Sequence, residues 1–389
     1  MANPYTPQLP TGLDQSLVPT KVLAQSFFEN IFLTDLQQFM GPSEASPIHL
    51  DFMNKGDGET LTYSLSKELD PYNFIDGPYA QVTGTGGPPQ YYSDTITFNQ
   101  SATPPVVEYG PNFMDLATPI DMTANIARQL QTAHRRNITY KILKAACVDL
   151  YPNQATQGPV AERVLYSYGT QPGGSVYAAN ITDGLTAMAG TTDPTECGSS
   201  VQAINTMRLM AVSGSTGATT VGAFETEKKI NPVELEMENG FSSPVYMYWQ
   251  DPGSFNTGLR LDTNFGSRYY GRGVIESGMQ PSQLKGKFFR GAIEDVEIID
   301  IPELQKFRIY VPGIGTFAHN LFVGAQAFKF IWGKMPWTDY QYFDLKRRRE
   351  WALQDIRGQK VIQFQSLFRP GFFAECGIIH HFVKINDTP

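Results

Sequence analysis

Two alternating segments and the connection between them constrain this chain more than anything else in it. From Glu59 the residues Thr-Leu-Thr-Tyr-Ser-Leu place Leu61, Tyr63 and Leu65 on one side and Thr60, Thr62 and Ser64 on the other. That is the period-two pattern of a half-buried strand. Asp94-Thr-Ile-Thr-Phe-Asn repeats it with Ile96 and Phe98. Between them run more than twenty residues carrying Pro71, Gly77, Pro78, Gly84, Gly86, Gly87, Pro88 and Pro89. A connection that long without structure of its own is uncommon in a compact domain and, when ordered, is usually functional. It also holds Tyr72, Phe74 and Tyr79 and runs into Tyr91 and Tyr92, rings that are costly to leave in water. Residues 56–105 therefore read as an extended β-hairpin loop whose tip, around Tyr79 to Tyr92, packs on another molecule. The competing reading is a surface loop with its rings in solvent.

The strongest helix signal follows. Thr118 stands as N-cap, Pro119 at the first helical position and Asp121 three residues after the cap. Ile126, Leu130, Ile138, Ile142 and Ala145 keep one face, while Arg128, Arg135, Arg136 and Lys144 lie largely off it. Pro152 stops the run. Some thirty residues at ~1.5 Å each give about 45 Å, longer than one small core needs, so the helix is a spine between domains.

The remaining segments are weaker. Residues 1–20, with Pro4, Pro7, Pro10 and Pro19, read as an extended arm, followed by a mixed helical stretch from Lys21 to Met40. Residues 153–240 are rich in Gly, Ser, Thr and Ala, with one helical stretch at Val201–Met210. Strands are expected at 243–250, 291–299, 306–311, 358–364 and 377–385, and a helix-like piece at Asn320–Ile331. The class is α+β. The expected organisation is arm and short helix at 1–55, hairpin loop at 56–105, and spine helix at 106–153. An axial domain at 154–285 and a β-rich return to the peripheral domain at 286–389 complete it.

Composition narrows the function. Only 17% of the 389 residues are charged while 12% are aromatic, a balance suited to burying large protein contacts. A net charge of −8 argues against a chain whose main task is gripping phosphate. Cys147, Cys197 and Cys376 are widely spaced with no CxxC, so neither a disulfide framework nor a structural zinc site is expected and a reducing cytoplasm fits. The first residues lack an apolar signal segment, and no apolar run reaches the ~18 residues of a membrane span.

Catalytic patterns do not emerge. The chain has no GxxxxGK[ST], HExxH or GxSxG, and Gly84-Thr-Gly86-Gly87 opens into prolines rather than a helix. His380-His381 beside Glu375 and Cys376 resembles a metal cluster only on paper, because adjacent strand residues point to opposite faces. A structural role is expected for both. Lys346-Arg-Arg-Arg349 reads as a contact to DNA or to a neighbouring subunit, or equally as a solvated salt-bridged face. Asp300, Glu303, Glu294, Asp295 and Glu297 lack an accompanying base and read as surface carboxylates.

The order of arm, two-stranded loop, spine helix and β-rich domains resembles the tailed-phage major capsid fold (the Johnson fold). Two blocks carry the likeness to major capsid proteins, closest to the branch of N4-like phages. One runs from Glu59 through Asn153. The other, from Gly286 to Ile385, holds Phe289-Arg-Gly-Ala-Ile-Glu-Asp-Val-Glu-Ile-Ile, Ala318-His-Asn-Leu-Phe-Val-Gly-Ala-Gln-Ala-Phe, Tyr342-Phe-Asp-Leu and Asp355-Ile-Arg-Gly-Gln-Lys-Val-Ile-Gln-Phe. The resemblance implies a structural shell subunit, not an enzyme, with no catalytic, cofactor or metal site. It implies hexamers and pentamers closing an icosahedral capsid around double-stranded DNA, with no sequence-specific DNA binding and no membrane. Scaffolding and portal functions fall to separate proteins, and assembly takes place in the host bacterial cytoplasm. The arm is expected to lie under or across a neighbouring spine helix. The candidate subunit-contact residues are Tyr72, Phe74, Tyr79, Tyr91, Tyr92, Arg135, Arg136, Arg347, Arg348 and Arg349. A decorating or tail structural protein is the alternative, and it would be expected to show repeats that this sequence lacks.

Overall fold

The structure, a computed structural model, describes residues 36–53, 60–66, 91–109, 122–160, 163–167, 180–188, 199–213, 229–236, 242–262, 265, 289–343, 348–365 and 373–385. It is built around two sheets and one long helix. The first sheet is organised by an antiparallel ribbon, Phe328–Phe343 with Arg348–Val361. Ile48–Phe52 pairs in parallel along the outer side of the first ribbon strand, and Met40–Gly41 extends that edge. Asn99–Ala102 and Val106–Tyr109 pair antiparallel along the second. At ~3.3 Å per residue a 16-residue strand spans about 50 Å, well beyond its short neighbours.

The second sheet has the spatial order Phe289–Ile293, Val296–Asp300, Ser242–Gln250, Gly315–Val323, Ile378–Ile385 and Val164–Tyr166. Val233–Glu236 pairs with Ser242–Gln250, and Ile309–Val311 with Gly315–Val323. Its central strands are covered on both faces. Trp249, Ile299, Leu321, Val323 and Ile378 join a core with Ile138, Ile142 and Leu143 of the long helix and with Phe328 and Phe330 of the ribbon. Tyr248, Ile298, Phe322 and Ile379 face the opposite core, under Ile204, Met207 and Met210 of the helix Val201–Ser213. A strand buried on both faces reads as a continuous apolar run with no alternation.

That loss of alternation explains where sequence expectation and structure part. Asn320–Ile331 is not helical. It is the end of one strand, a turn at residues 324–327 and the start of the ribbon. Gln326 adopts φ 53 there, a left-handed turn position inside no helix. Similarly, 291–299 is not one strand but a hairpin reversing at Glu294 (φ 53) and Asp295. Pro302–Phe307 forms a short 3₁₀ turn, leaving only Ile309–Val311 extended. In the Gly/Ser/Thr/Ala-rich stretch a second helix, Ile181–Met188, accompanies Val201–Ser213.

Strands stand at Ser242–Gln250 and Ile378–Ile385, while the one expected at 358–364 divides between Arg348–Val361 and Gln363–Gln365. Thr60–Ser66 pairs antiparallel with Tyr91–Thr97, Leu61 opposite Ile96 and Leu65 opposite Tyr92. Residues 67–90 between them lie outside the described residues, as do the arm at 1–20, residues 21–35 of the expected helical stretch and the helix-start residues Thr118, Pro119 and Asp121. The described end of that stretch is a 3₁₀ turn at Leu36–Phe39, with Met40 already in a strand. The helix is regular over Met122–Lys144, about 35 Å. It widens into a π-helical turn at Ala145–Asp149, ending before Pro152.

Candidate assembly surface

The long helix is unequally buried along its length. From Ile138 onward, Ile138, Thr139, Ile142, Leu143, Ala145 and Ala146 are all inside. Nearer its start, over residues 128–137, Leu130 and His134 are the ones inside. Leu130 packs on Leu353, with Trp351 and Val106 at the margin. The ring of His134 stacks on Trp332 at 6.2 Å. Beneath, Asp355 is fully buried, 2.9 Å from Arg357 Nη1 and 3.2 Å from His134 Nε2. Arg357 also donates to Asn137 Oδ1. Burial pulls the Arg357 guanidinium below its ordinary value, opposed by Asp355. A buried charge needs a charge and hydrogen bonds to hold it. Across the helix–ribbon junction Arg357 has both, while Asp355 is held by its two basic partners without a hydrogen bond to either oxygen.

The hairpin sits across the same ribbon. Gly358 leaves room for it, since a Cβ there would stand 2.4 Å from Ile96 Cγ2. Lys360 pairs with Asp94, and Asp94 accepts a 2.9 Å hydrogen bond from Tyr63 Oη. The hairpin base is thus fastened to the core.

Past this junction the ribbon changes character. Two register shifts, between Trp332 and Lys334 and between Lys334 and Trp337, place extra residues on the first strand. Pro336, which cannot donate to a ladder, falls in the second of these, where prolines are tolerated. Ile48–Phe52 stops pairing at Trp332, so beyond it the outer edge of the strand has no partner among the described residues. Lys334, Met335, Pro336, Thr338, Asp339, Gln341 and Tyr342 are all exposed. Exposure at consecutive positions means both faces stand in solvent. Met335 is 58% exposed and Tyr342 48%, with Phe52 (53%) and Val107 (37%) on flanking strands. Clustered apolar exposure with an unpaired edge is the mark of a contact surface.

The candidate residues named from the sequence are distributed as follows. Arg135 and Arg136 are exposed on the helix. Tyr91 and Tyr92 open their strand opposite Ser66 and Leu65. Arg348 and Arg349 begin the second ribbon strand opposite Tyr109 and Glu108. Tyr72, Phe74, Tyr79 and Arg347 lie outside the described residues. The exposed ribbon residues Met335 and Tyr342 were missed. Their sequence signal was Pro336 within an otherwise strand-like run, which marks an edge or a bulge.

Buried polar groups occupy the second sheet. His380 and His381 do point to opposite faces, as strand alternation requires. His380 Nδ1 lies 2.8 Å from His319 Nε2, with Tyr151 donating to Glu375 close by. His381 Nε2 lies 2.5 Å from Ser167 Oγ and its Nδ1 2.7 Å from Tyr248 Oη. A Ser–His contact resembles a nucleophile and its base. Here both partners are buried and a tyrosine takes the place of an orienting carboxylate, so the arrangement holds strands together. Asp300, expected at the surface, is instead fully buried, paired with Arg290 and accepting from Gln250 Nε2 at 2.9 Å. Glu294 and Asp295 clamp Arg208. Among the described residues no three His, Cys, Asp or Glu side chains gather to hold a metal. Among them, too, no helix is long and apolar enough to cross a membrane.

No protein-family model and no curated sequence matches the chain. Solved structures do. The capsid of Ralstonia phage GP4 matches with a TM-score of 0.67 at 15% identity, over 99% of this chain and 97% of that one. The cyanophage Pam1 capsid asymmetric unit gives 0.60 at 17% identity, over 91% and 93%. The head structure of Helicobacter pylori bacteriophage KHP40 gives 0.60 at 11%, over 91% of each. The fold is therefore that of phage capsid subunits, the mixed α+β Johnson fold, along nearly the whole chain.

Proposed function

We propose that this protein is a major capsid protein of a tailed double-stranded DNA phage, a structural subunit that assembles with itself into the virion shell. The carrying observation is likeness to a capsid fold over 99% of the chain. The distal ribbon supports the reading from the physics side. It holds exposed apolar side chains and a strand edge unpaired among the described residues, and a neighbouring subunit would cover both. Rings of subunits need such head-to-tail contacts between unlike surfaces, and hexamers and pentamers closing an icosahedron around the genome are the assembly proposed. The loop residues Tyr72, Phe74, Tyr79, Tyr91 and Tyr92 belong to the same set of contacts. Placement near N4-like phages rests on the two sequence blocks alone. Assembly in the host cytoplasm, with separate scaffolding and portal proteins, completes the proposal.

Negative-stain electron microscopy of the purified protein, beside its light-scattering mass, tests it. Closed shells or six- and five-fold rings are expected. A stable monomer or compact trimer at high concentration, with scaffolding protein supplied, would sink the reading. Deleting residues 70–90 should leave a folded subunit that cannot assemble, and normal shells from that deletion would remove the loop from the contact set.

A further inference from the structure

Two histidines meet at a seam in the second sheet. On one of its faces Leu321 and Ile378 belong to the core under the long helix, while Phe317 and Phe382 belong to a smaller core with Tyr151, Val164 and Tyr166. Strand register puts His319 and His380 on that face, between the two sets. The smaller core is closed by Tyr151, just past the π-helical turn, and by Ile181, Leu185 and Met188 of the helix Ile181–Met188. These two pieces are knit together, Ile181 N donating to Gln157 O and Thr182 N to Gln154 O. The helix lies so close on Tyr166 that a Cβ at Gly184 would stand 2.2 Å from the ring. Residues 150–158 and 180–188 thus form one cover over Tyr166, Phe317 and Phe382.

Beneath this cover the polar groups are connected in series. Tyr151 donates to Glu375 Oε1, that oxygen lies 3.7 Å from His380 Nε2, and His380 Nδ1 lies 2.8 Å from His319 Nε2. Two ring nitrogens at that separation hold a single hydrogen between them. With a hydrogen on each, N–H would point at N–H and the rings must part. His319 Nδ1 has no hydrogen-bond partner among the described residues, so nothing there receives the second N–H of a charged ring. Tyr151 stands edge-on to His380 at 5.8 Å and His319 lies 4.5 Å from Phe382, so rings that part displace what rests on them. The other titratable groups about the pair are Arg163, whose Nε donates to Glu375 O at 2.7 Å, and Tyr166 and Cys376. Asp183 on the cover is exposed and bonded to Asn180. Between pH 7 and 4.5 phenol, thiol and guanidinium keep their charge. Burial raises the Glu375 carboxyl, but His380 and Tyr151 bring it down on balance, so the imidazoles are the groups about the seam that take up protons.

We propose that the His319–His380 pair is an acid-operated latch: when His319 takes up a further proton the pair parts, and the cover of residues 150–158 and 180–188 lifts from the second sheet while the two larger cores stay closed. Burial and His380 hold the His319 ring well below the ordinary histidine value while the cover is shut, so the lifted state is the one that binds the proton. Below about pH 6.5 the lifted population therefore rises by up to tenfold per pH unit, roughly 50-fold between pH 6.5 and 4.5. The proposal stands whether or not the protein is a shell subunit.

Hydrogen exchange of the full-length dispersed subunit, with rates corrected for the intrinsic effect of pH, tests this. Amides of residues 181–188 should lose protection by that factor between pH 6.5 and 4.5, and should exchange before those of 379–383 throughout. His319→Gln keeps a donor against His380 but takes up no proton, and should flatten the dependence for 181–188. His381→Gln, altered on the opposite face of the neighbouring strand, should leave it as in the wild type. Each variant is compared with itself across pH, so a uniform loss of stability does not obscure the result, and His319→Phe serves where the Gln variant does not fold. Protection of 181–188 that is constant over the range, or that falls equally without the His319 imidazole, overturns the proposal. So does a loss that tracks 379–383 and responds to His381→Gln, because the cover would then open only with global unfolding.

Discussion

His319 is buried, with its Nε2 against His380 Nδ1 and no hydrogen-bond partner at its own Nδ1. Burial and the neighbouring His380 push the His319 ring well below the ordinary histidine value. Burial alone pushes His381 down to about 3. Burial would raise the Glu375 carboxyl, but His380 and the Tyr151 hydroxyl outweigh it and the net shift is downward. The sign of the pH effect follows from which state binds more protons. An unfolded histidine takes up a proton near 6.5 while the folded His381 does not, so stability is full above 6.5 and lost as pH falls through the interval down to about 3. His381 contributes about 1.4 kcal/mol per pH unit within that window, and His319 acts with the same sign. Urea midpoints of the subunit should therefore drop steadily from pH 7 to pH 4.5. In His381→Gln the slope should be shallower, and an equal slope in the variant would assign the acid sensitivity elsewhere. That these two histidines lie on opposite faces was legible from strand alternation. Their partners were not, because Ser167 and Tyr248 are 214 and 133 residues away.

Elements were legible where one face met water. The hairpin strands alternate because their outer face is solvated: Thr62 and Thr95 are exposed, while Tyr63 is half-buried and Ile96 fully so. The helix shows its apolar stripe because its first half keeps an open side. The second sheet hides its strands between two cores, and there the turns at Glu294 and Gln326 were read through. At the helix–ribbon junction the stripe named the apolar contact but not the charged one, since Asp355 and Arg357 read as ordinary polar strand residues. Asp355→Asn removes the charge facing Arg357, itself only 2% exposed. Breaking one side of a buried pair costs on the order of 3–5 kcal/mol, and the thermal midpoint should fall accordingly. Asp355→Asn/Arg357→Met should recover part of that loss, because no lone charge is then left inside. A single Asp355→Asn change with no effect on melting would mean the helix is held by Leu130 and the C-terminal half alone.

At the scale of the molecule, stability is concentrated at one end. The two cores meet around the second sheet and the buried half of the helix, whereas the ribbon beyond its register shifts is a narrow projection. Two- and three-stranded ribbons with both faces wet are marginal by themselves, and their amides open locally at little cost. The distal ribbon should thus gain its rigidity from a neighbouring subunit. Hydrogen exchange makes this measurable. In dispersed subunits, amides of residues 334–342 should exchange orders of magnitude faster than those of 328–331, although both belong to one continuous strand. On assembly the distal set should become protected while the proximal set is unchanged. Met335→Asp/Tyr342→Asp should block that protection and raise the concentration needed for association at least tenfold, with little change in the melting of the isolated subunit, because neither side chain is part of its core. Equal protection of both halves before assembly would show that the ribbon is rigid without a partner, and the contact surface would then have to be sought elsewhere on the subunit.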